Sequence, residues 1–282
     1  MPGTPVTPDE YCQHKTAQSG SSFYYSFLFL PPARRRAITA LYAFCREVDD
    51  IVDECTDSGV AQTKLAWWRQ ELARLYAGQA QHPVARALAP AIEPFGIKRA
   101  YLEEIIDGMQ MDLAQNRYLD FFALEQYCHR VAGVVGLLAA SIFGYNDPRT
   151  LNYAHTLGLA FQFTNIIRDV GEDSRKGRIY LPLAELTRFQ VSAADILNAR
   201  QSENFVRLMA FQIERAERYY TEAFAQLPDT DRKAQRPGLI MAAIYRTLLR
   251  EIADDGCKVL TQRTALTPLR KLWIAWKTWM TA

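Results

Sequence analysis

No stretch of about 18 uninterrupted apolar residues occurs in this chain of 282 residues, so no membrane-spanning helix is expected. The opening MPGTPVTPDEYCQH has no basic segment followed by an apolar run, and a standard secretory signal is not expected either. Cysteine is sparse: Cys12, Cys45, Cys55, Cys128 and Cys257 are odd in number, scattered and without a CxxC pair. Neither a disulfide framework nor a zinc cluster is suggested, and a reducing cytoplasm fits best. An excess of either charge is also missing. Lys+Arg 33 against Asp+Glu 31 leaves a formal charge of +2, which argues against nucleic acid as a partner because a phosphate footprint needs a clear basic surplus or stripe. No repeat, low-complexity tract or Gly/Ser linker divides the sequence. One domain is read over 1–282, with only residues 1–8, rich in Pro and Thr, expected to be loosely held.

The hydrophobic share of 49% and charged share of 23% are those of a folded protein. Alternation with a period of two is nearly absent, whereas apolar residues recur at three and four positions, so the chain is predicted to be all-α. Pro31-Pro32 precedes a long helical run to Glu54. Asp147-Pro148 supplies a cap and a first-turn proline for a run to about Glu172. A segment from about 120 to Phe143 stops at Gly144. Further helices are expected near 60–78, 98–116, 202–226, 238–262 and 268–282. Val131 to Phe143 is apolar nearly all round, which predicts a position inside a large bundle.

Charge inside such a bundle needs a reason. In the first helix, Asp49 and Asp53 lie four residues apart on one face, with Arg46 one turn before them. A solvated charged face is one account of that patch. Asn165, Asp169 and Asp173 repeat the device at i, i+4 and i+8 in another helix, behind an apolar lead-in from Leu157 to Phe161. Oxygen donors without His or Cys suit Mg²⁺, which takes carboxylates together with phosphate oxygens and water. Facing each other, the two patches would clamp a diphosphate through Mg²⁺, activate it as a leaving group, and leave a carbocation in a dry cavity.

At these residues the chain resembles the squalene/phytoene synthase family. The matching stretches are Ser21-Ser22-Phe23-Tyr24, Tyr42 with Arg46 and DDIVD at 49–53, and GMQMDL at 108–113. They continue with Tyr127, VAGVVG at 131–136, QFTNIIRDVGED at 162–173, and GRIYLP at 177–182. The resemblance implies a single isoprenoid-synthase helical bundle around a central apolar cavity. Within the family, the stretch from Ser21 to Glu54 is similar to bacterial presqualene diphosphate synthases of hopanoid pathways. That similarity implies head-to-head joining of two farnesyl diphosphates, with two or three Mg²⁺ ions bridging diphosphate and no NADPH needed for this first half-reaction. It also implies a downstream partner, a hydroxysqualene synthase.

Carried over position by position, Asp49, Asp53, Asn165, Asp169 and Asp173 match the metal motifs. Arg46, Arg168, Lys176 and Arg178 are candidates for diphosphate contact. Ser21, Ser22, Phe23, Tyr42 and Gln162 match substrate-binding positions, as do Tyr245 and Arg263 late in the chain. Tyr127 matches the family tyrosine proposed to help remove the proton, the alternative being a core tyrosine with a satisfied hydroxyl. Ala132, Gly133 and Gly136 either leave room for a polyprenyl tail or allow close helix packing. DDIVD also spells the DDxxD of head-to-tail prenyltransferases, but NIIRDVGED departs from the second DDxxD those enzymes usually carry. Phytoene, dehydrosqualene or complete squalene synthesis, and a non-catalytic scaffold of the same fold, remain as alternatives.

The C-terminus concentrates Trp273, Trp276 and Trp279 beside Arg270, Lys271 and Lys277. On a helix, Leu269, Leu272, Trp273, Trp276, Trp279 and Met280 would share one face, suited to a membrane interface or to packing on the body of the bundle. The enzyme would then lie in the cytoplasm, free or peripheral at the inner face of the cytoplasmic membrane.

Overall fold

A computed structural model describes residues 7–18 and 23–282. Its long helices are α1 (Pro8–Gln18), α3 (Pro32–Glu54), α4 (Ser58–Tyr76), α6 (Arg99–Ala114), α9 (Arg149–Arg175), α12 (Glu203–Gln226), α14 (Arg236–Asp254) and α15 (Pro268–Thr281). Between them lie α2 (Phe23–Phe27), α5 (Pro83–Leu88), α7 (Phe121–Cys128), α8 (Val134–Phe143), α10 (Leu183–Arg188), α11 (Ala193–Leu197) and α13 (Asp229–Arg232). Among the described residues there is no strand, only an isolated bridge from Arg117 to Ile179.

Local chemistry sets most boundaries. Pro31 caps α3 with Pro32 in its first turn, and α8 stops at Gly144, whose φ of 87° favours glycine. For α9 the register differs by one residue: Pro148 itself is the cap and Arg149 the first helical residue, while the Asp147 carboxylate accepts from the Arg149 N–H at 2.9 Å. The run expected to reach 262 ends at Asp254, ahead of Gly256 at φ 72°, because the chain must turn to bring 257–266 back across α9. Of the first eight residues, expected to be loosely held, Pro8 opens α1, and residues 1–6 lie outside the described residues.

The predicted helix over 120–143 is interrupted. Residues His129–Gly133 form one π-turn between α7 and α8. Such turns carry an extra residue, which rotates the flanking segments relative to each other and recurs at functional sites. Here it lets Tyr127 and Val131 both reach the interior cavity.

Two apolar cores fill the bundle. One gathers α1, α3, α4, α5 and α6, the other α7, α9, α12, α14 and the chain around 257–266. They meet along a seam that remains open as a cavity of about 410 Å³. Phe27, Ile38 and Leu41 face it from the first core, Tyr153, Leu157 and Met241 from the second. The small residues of VAGVVG both border the cavity and let helices pack closely. Ala132 and Gly136 line the cavity, and a Cβ on Gly136 would sit 2.1 Å from the Ala154 carbonyl oxygen of α9.

Candidate active site

Helices α3 and α9 each carry one continuous stripe from apolar to charged. On α3 it runs Ile38, Leu41, Tyr42, Cys45, Arg46, Asp49, and on α9 Ala154, Leu157, Phe161, Gln162, Asn165, Arg168; all of these line the cavity. Spacings of three and four keep each stripe on one face. The same periodicity therefore builds a greasy interior and ends it in a charged mouth. Phe23 closes the apolar part, with its ring 5.4 Å from Tyr42 and 6.2 Å from Phe161.

At the mouth the two acidic faces meet across a set of cations. Arg178 and Lys176, just beyond α9, reach Asp53 of α3 at 2.7 Å and 3.0 Å, and Arg178 also donates to the Val52 carbonyl at 3.0 Å. On α3, Arg46 donates to Asp49 at 2.6 Å and also pairs with Asp50, whose other oxygen is held by Lys15 of α1 at 2.8 Å. Asp50 thus turns toward α1, leaving Asp49 and Asp53 for the mouth. On α9, Asp169 accepts from Arg168 at 2.8 Å and from Arg263 at 2.8 Å, and Arg263 also reaches Glu172 at 3.1 Å.

The carboxylates differ in how well they are neutralised. Burial pushes the Asp49 carboxyl up to about 6, with Asp53, Asp50 and Asp112 adding to the rise against the pull of Arg46. Burial, Asp169 and Asp53 push Asp173 up to about 7. Burial also raises Asp53, but the hydrogen bonds from Arg178 and Lys176 outweigh it and hold this carboxyl below its usual value. Of Asp49, Asp53, Asp169 and Asp173, the first and last are those whose negative charge the protein answers least, the condition that a cation relieves.

Behind the wall, Asp112 of α6 accepts hydrogen bonds from Tyr127 at 2.7 Å and Tyr180 at 3.0 Å. Burial pushes Asp112 up to about 6, and it raises both phenols well above their ordinary range. Both tyrosines are therefore neutral donors. The Tyr127 ring stacks on Tyr180 at 5.3 Å and lines the cavity, placing one neutral hydroxyl between the cavity and a half-buried carboxylate.

The opposite wall is cationic. Tyr245 is buried with its hydroxyl beside Arg168, and its ring lies 5.2 Å from Phe161. Arg263 and Lys271 face the same part of the cavity. Burial lowers the Lys271 ammonium, and the neighbouring Arg168 and Arg263 lower it further. Three cations converging on one wall suit an anion.

The donor set also fits a hard cation. Among the described residues no three His, Cys, Asp or Glu side chains converge into a ready-made cage. Asn165 Oδ1, however, is buried at the cavity wall without a hydrogen-bond partner, an arrangement that costs roughly 1–3 kcal/mol unless a ligand satisfies it. Oxygen donors divided between two facing helices match an ion that brings phosphate and water ligands of its own.

Of the residues singled out in the sequence, Phe23, Tyr42, Arg46, Asp49, Tyr127, Gln162, Asn165, Arg168, Tyr245 and Arg263 all line the one cavity. Asp53, Asp169 and Asp173 sit at its mouth. Lys176 and Arg178, expected at a diphosphate, are engaged with Asp53. Ser21 and Ser22 lie outside the described residues. Asp112 and Tyr180, which lie within the matching stretches GMQMDL and GRIYLP, and Lys271 were given no role at the site in the sequence reading. Asp112 had a signal, since Ile105, Met109 and Asp112 form a stripe at i, i+4 and i+7 that ends in a lone acid. Lys271 had none, because its orientation depends on how α15 docks.

Gly171, between Asp169 and Asp173, fixes how the 257–266 segment crosses α9. Its N–H donates to the Val259 carbonyl at 3.1 Å, and an added Cβ would meet the Leu260 oxygen at 2.3 Å. Gly171→Ala is expected to lower stability by about 1–3 kcal/mol through overpacking and to weaken substrate binding by shifting Arg263. Thermal unfolding and KM would report both effects, and unchanged values in each would refute the crossing's role.

An all-α bundle with an apolar cavity beneath a mouth of facing carboxylates and guanidiniums defines an isoprenoid-synthase fold. The family model of squalene/phytoene synthase matches residues 16–270, and the chain belongs to this family. A phytoene synthase of Arthrospira platensis is 36% identical over 284 residues, covering 96% of this chain and 92% of its own. A dehydrosqualene synthase solved with a ligand superposes with a TM-score of 0.85 at 28% identity, covering 97% of this chain and 96% of that one. A squalene synthase of Alicyclobacillus acidocaldarius superposes with a TM-score of 0.78 at 29% identity, covering 88% and 94%.

Proposed function

We propose that the chain condenses two farnesyl diphosphates head to head to presqualene diphosphate, releasing one diphosphate. The observation that carries the reading is that cations flank one largely apolar cavity from two sides. Arg46 stands on the α3 side, and Arg168, Arg263 and Lys271 stand on the α9 and α15 side. Two anionic heads then lie at one mouth with both chains in one interior, the arrangement that joining two such substrates needs.

Asp49 and Asp53 with Asn165, Asp169 and Asp173 would hold Mg²⁺, exchanging some of their present cation partners for it. Bound there, Mg²⁺ would neutralise charge developing on the departing diphosphate. The C1–O bond of one substrate breaks with its electron pair leaving on diphosphate. The C2=C3 double bond of the second substrate attacks the resulting allylic cation, and loss of a proton closes the cyclopropane. Aromatic faces of Phe23, Tyr42 and Phe161 suit the passing cation. Tyr127 can take the departing proton on its hydroxyl oxygen while handing its own to Asp112. The product, a diphosphate carrying two long apolar chains, suits a peripheral place at the inner face of the cytoplasmic membrane and transfer to a hydroxysqualene synthase.

The runner-up is phytoene synthesis, favoured by the 36% identity to a cyanobacterial phytoene synthase. Incubation of purified protein with farnesyl or geranylgeranyl diphosphate, Mg²⁺ and no NADPH separates them by mass spectrometry. Presqualene diphosphate from the C15 substrate, unconverted when NADPH is added, is expected. A C40 hydrocarbon from the C20 substrate would replace this reading with phytoene synthesis, and squalene or dehydrosqualene would assign the corresponding complete reaction.

A further inference from the structure

Helix α15 contains no acidic residue and three basic ones, Arg270, Lys271 and Lys277. Its two sides differ. On the inner side Ala275 is fully buried, and Trp279 stacks on Phe29 with ring centroids 4.9 Å apart beneath the Arg236 guanidinium. This corrects the sequence expectation for Trp279, which belongs to the packing side. On the outer side, at 100° per residue, Leu269, Leu272, Trp273, Trp276 and Met280 fall within an arc of about 100°. All five are exposed, Leu269 by 79%, Met280 by 65% and Trp273 by 59%. The Trp273 and Trp276 rings lie 5.2 Å apart.

The inner side and the Arg270–Glu251 pair at 2.6 Å fix the helix, so the apolar outer stripe is free of any structural duty that explains it. Large contiguous apolar patches mark interaction sites. We propose that this stripe docks the protein on the surface of an anionic lipid bilayer. Tryptophan is a residue that settles at the interface between headgroups and hydrocarbon, and Lys277 borders the stripe where lipid phosphates would lie, beside Arg270, which pairs with Glu251 of α14. Charge argues against a second copy as the occupant, because a twofold pairing of α15 would bring its Lys277 edges together with no acid on the helix to answer them, and Glu251 is already paired with Arg270. The helix is also continuous with the cavity: Lys271 on its other side and Thr264–Leu266 ahead of it form part of the cavity wall. Lipid-soluble chains would thus enter and leave beside the docked surface. The docking can be tested without substrate, so its failure is distinct from failure of the proposed reaction.

Deleting α15 would expose the core around Ala275, so surface variants of the full chain are the better test. The wild type is expected to sediment with phosphatidylcholine/phosphatidylglycerol vesicles and much less with phosphatidylcholine alone. Trp273→Ser/Trp276→Ser/Met280→Ser should weaken that partition about tenfold or more, since apolar burial drives insertion. Lys277→Glu should weaken it about fivefold or more on anionic vesicles, given the pull of each basic residue on them. Turnover of detergent-dispersed substrate should stay unchanged in both variants. Failure of the wild type to sediment, or equal sedimentation of all forms, would overturn the proposal. So would a wild-type dimer in analytical ultracentrifugation that the triple variant loses while neither binds vesicles.

Discussion

Asp49→Asn and Asp169→Asn are each expected to lower turnover of farnesyl diphosphate about 10²–10³-fold, the usual loss when one group stabilising transition-state charge is removed. Asp49 carries the burden on α3, because Asp50 is committed to Arg46 and Lys15 while Asp49 lines the cavity. Asp169 carries it on α9, at the junction of Arg168 and Arg263. Asparagine keeps the size and one acceptor oxygen, so circular dichroism should show the helical fold intact. Mg²⁺ affinity, read by calorimetry with a diphosphate analogue, should fall in both. It should also rise with pH in the wild type between about 6 and 7, because Asp49 and Asp173, with carboxyls near 6 and 7, must be deprotonated to bind. Near-normal turnover in both variants would sink the clamp.

Replacing the proton acceptor should cost nearly as much. Asp112→Asn is expected to reduce kcat about 10²-fold or more, within the range for loss of a general base, and Tyr127→Phe similarly. The pH profile gives the sharper reading. Asp112 has a carboxyl near 6, so its basic form is present above that value and lost as pH falls through it. The wild-type kcat should therefore decline on the acid side, and Asp112→Asn should lack that limb. Asp49 and Asp173 do not confuse the comparison, because kcat reports the substrate complex, in which metal binding has already removed their protons. Tyr180→Phe removes a single 3.0 Å hydrogen bond to Asp112 and should cost only roughly fivefold, in keeping with a net hydrogen-bond worth of about 1 kcal/mol. An acid limb surviving in Asp112→Asn would assign the base elsewhere.

The sequence was most legible where one helix carried its whole message. The run after Pro31-Pro32 contains its cap, its apolar stripe and its acids, and α3 spans Pro32–Glu54 as the pattern predicts. The oxygen stripe Asn165, Asp169, Asp173 likewise needed only helical spacing, and the structure brings it opposite Asp53 through Lys176 and Arg178. Short elements such as α5 and α11 left no readable period, because one or two turns cannot show periodicity. The π-turn at His129–Gly133 was equally silent, since inserting one residue leaves an apolar segment apolar.

By itself, then, the sequence determined an all-α chain and the two acidic faces, because these follow from periodicity and from residue types within single helices, while its matching stretches carried the resemblance to the squalene/phytoene synthase family. Tertiary structure decided which charges meet. Arg178 reaches Asp53 of α3 from just beyond the end of α9, Asp112 gains its two phenols from α7 and from the chain after α9, and Lys271 turns to the cavity while Trp273 turns to solvent. Each of these depends on how separate helices dock. Docking is fixed by packing of whole faces, to which no local spacing in the chain is sensitive.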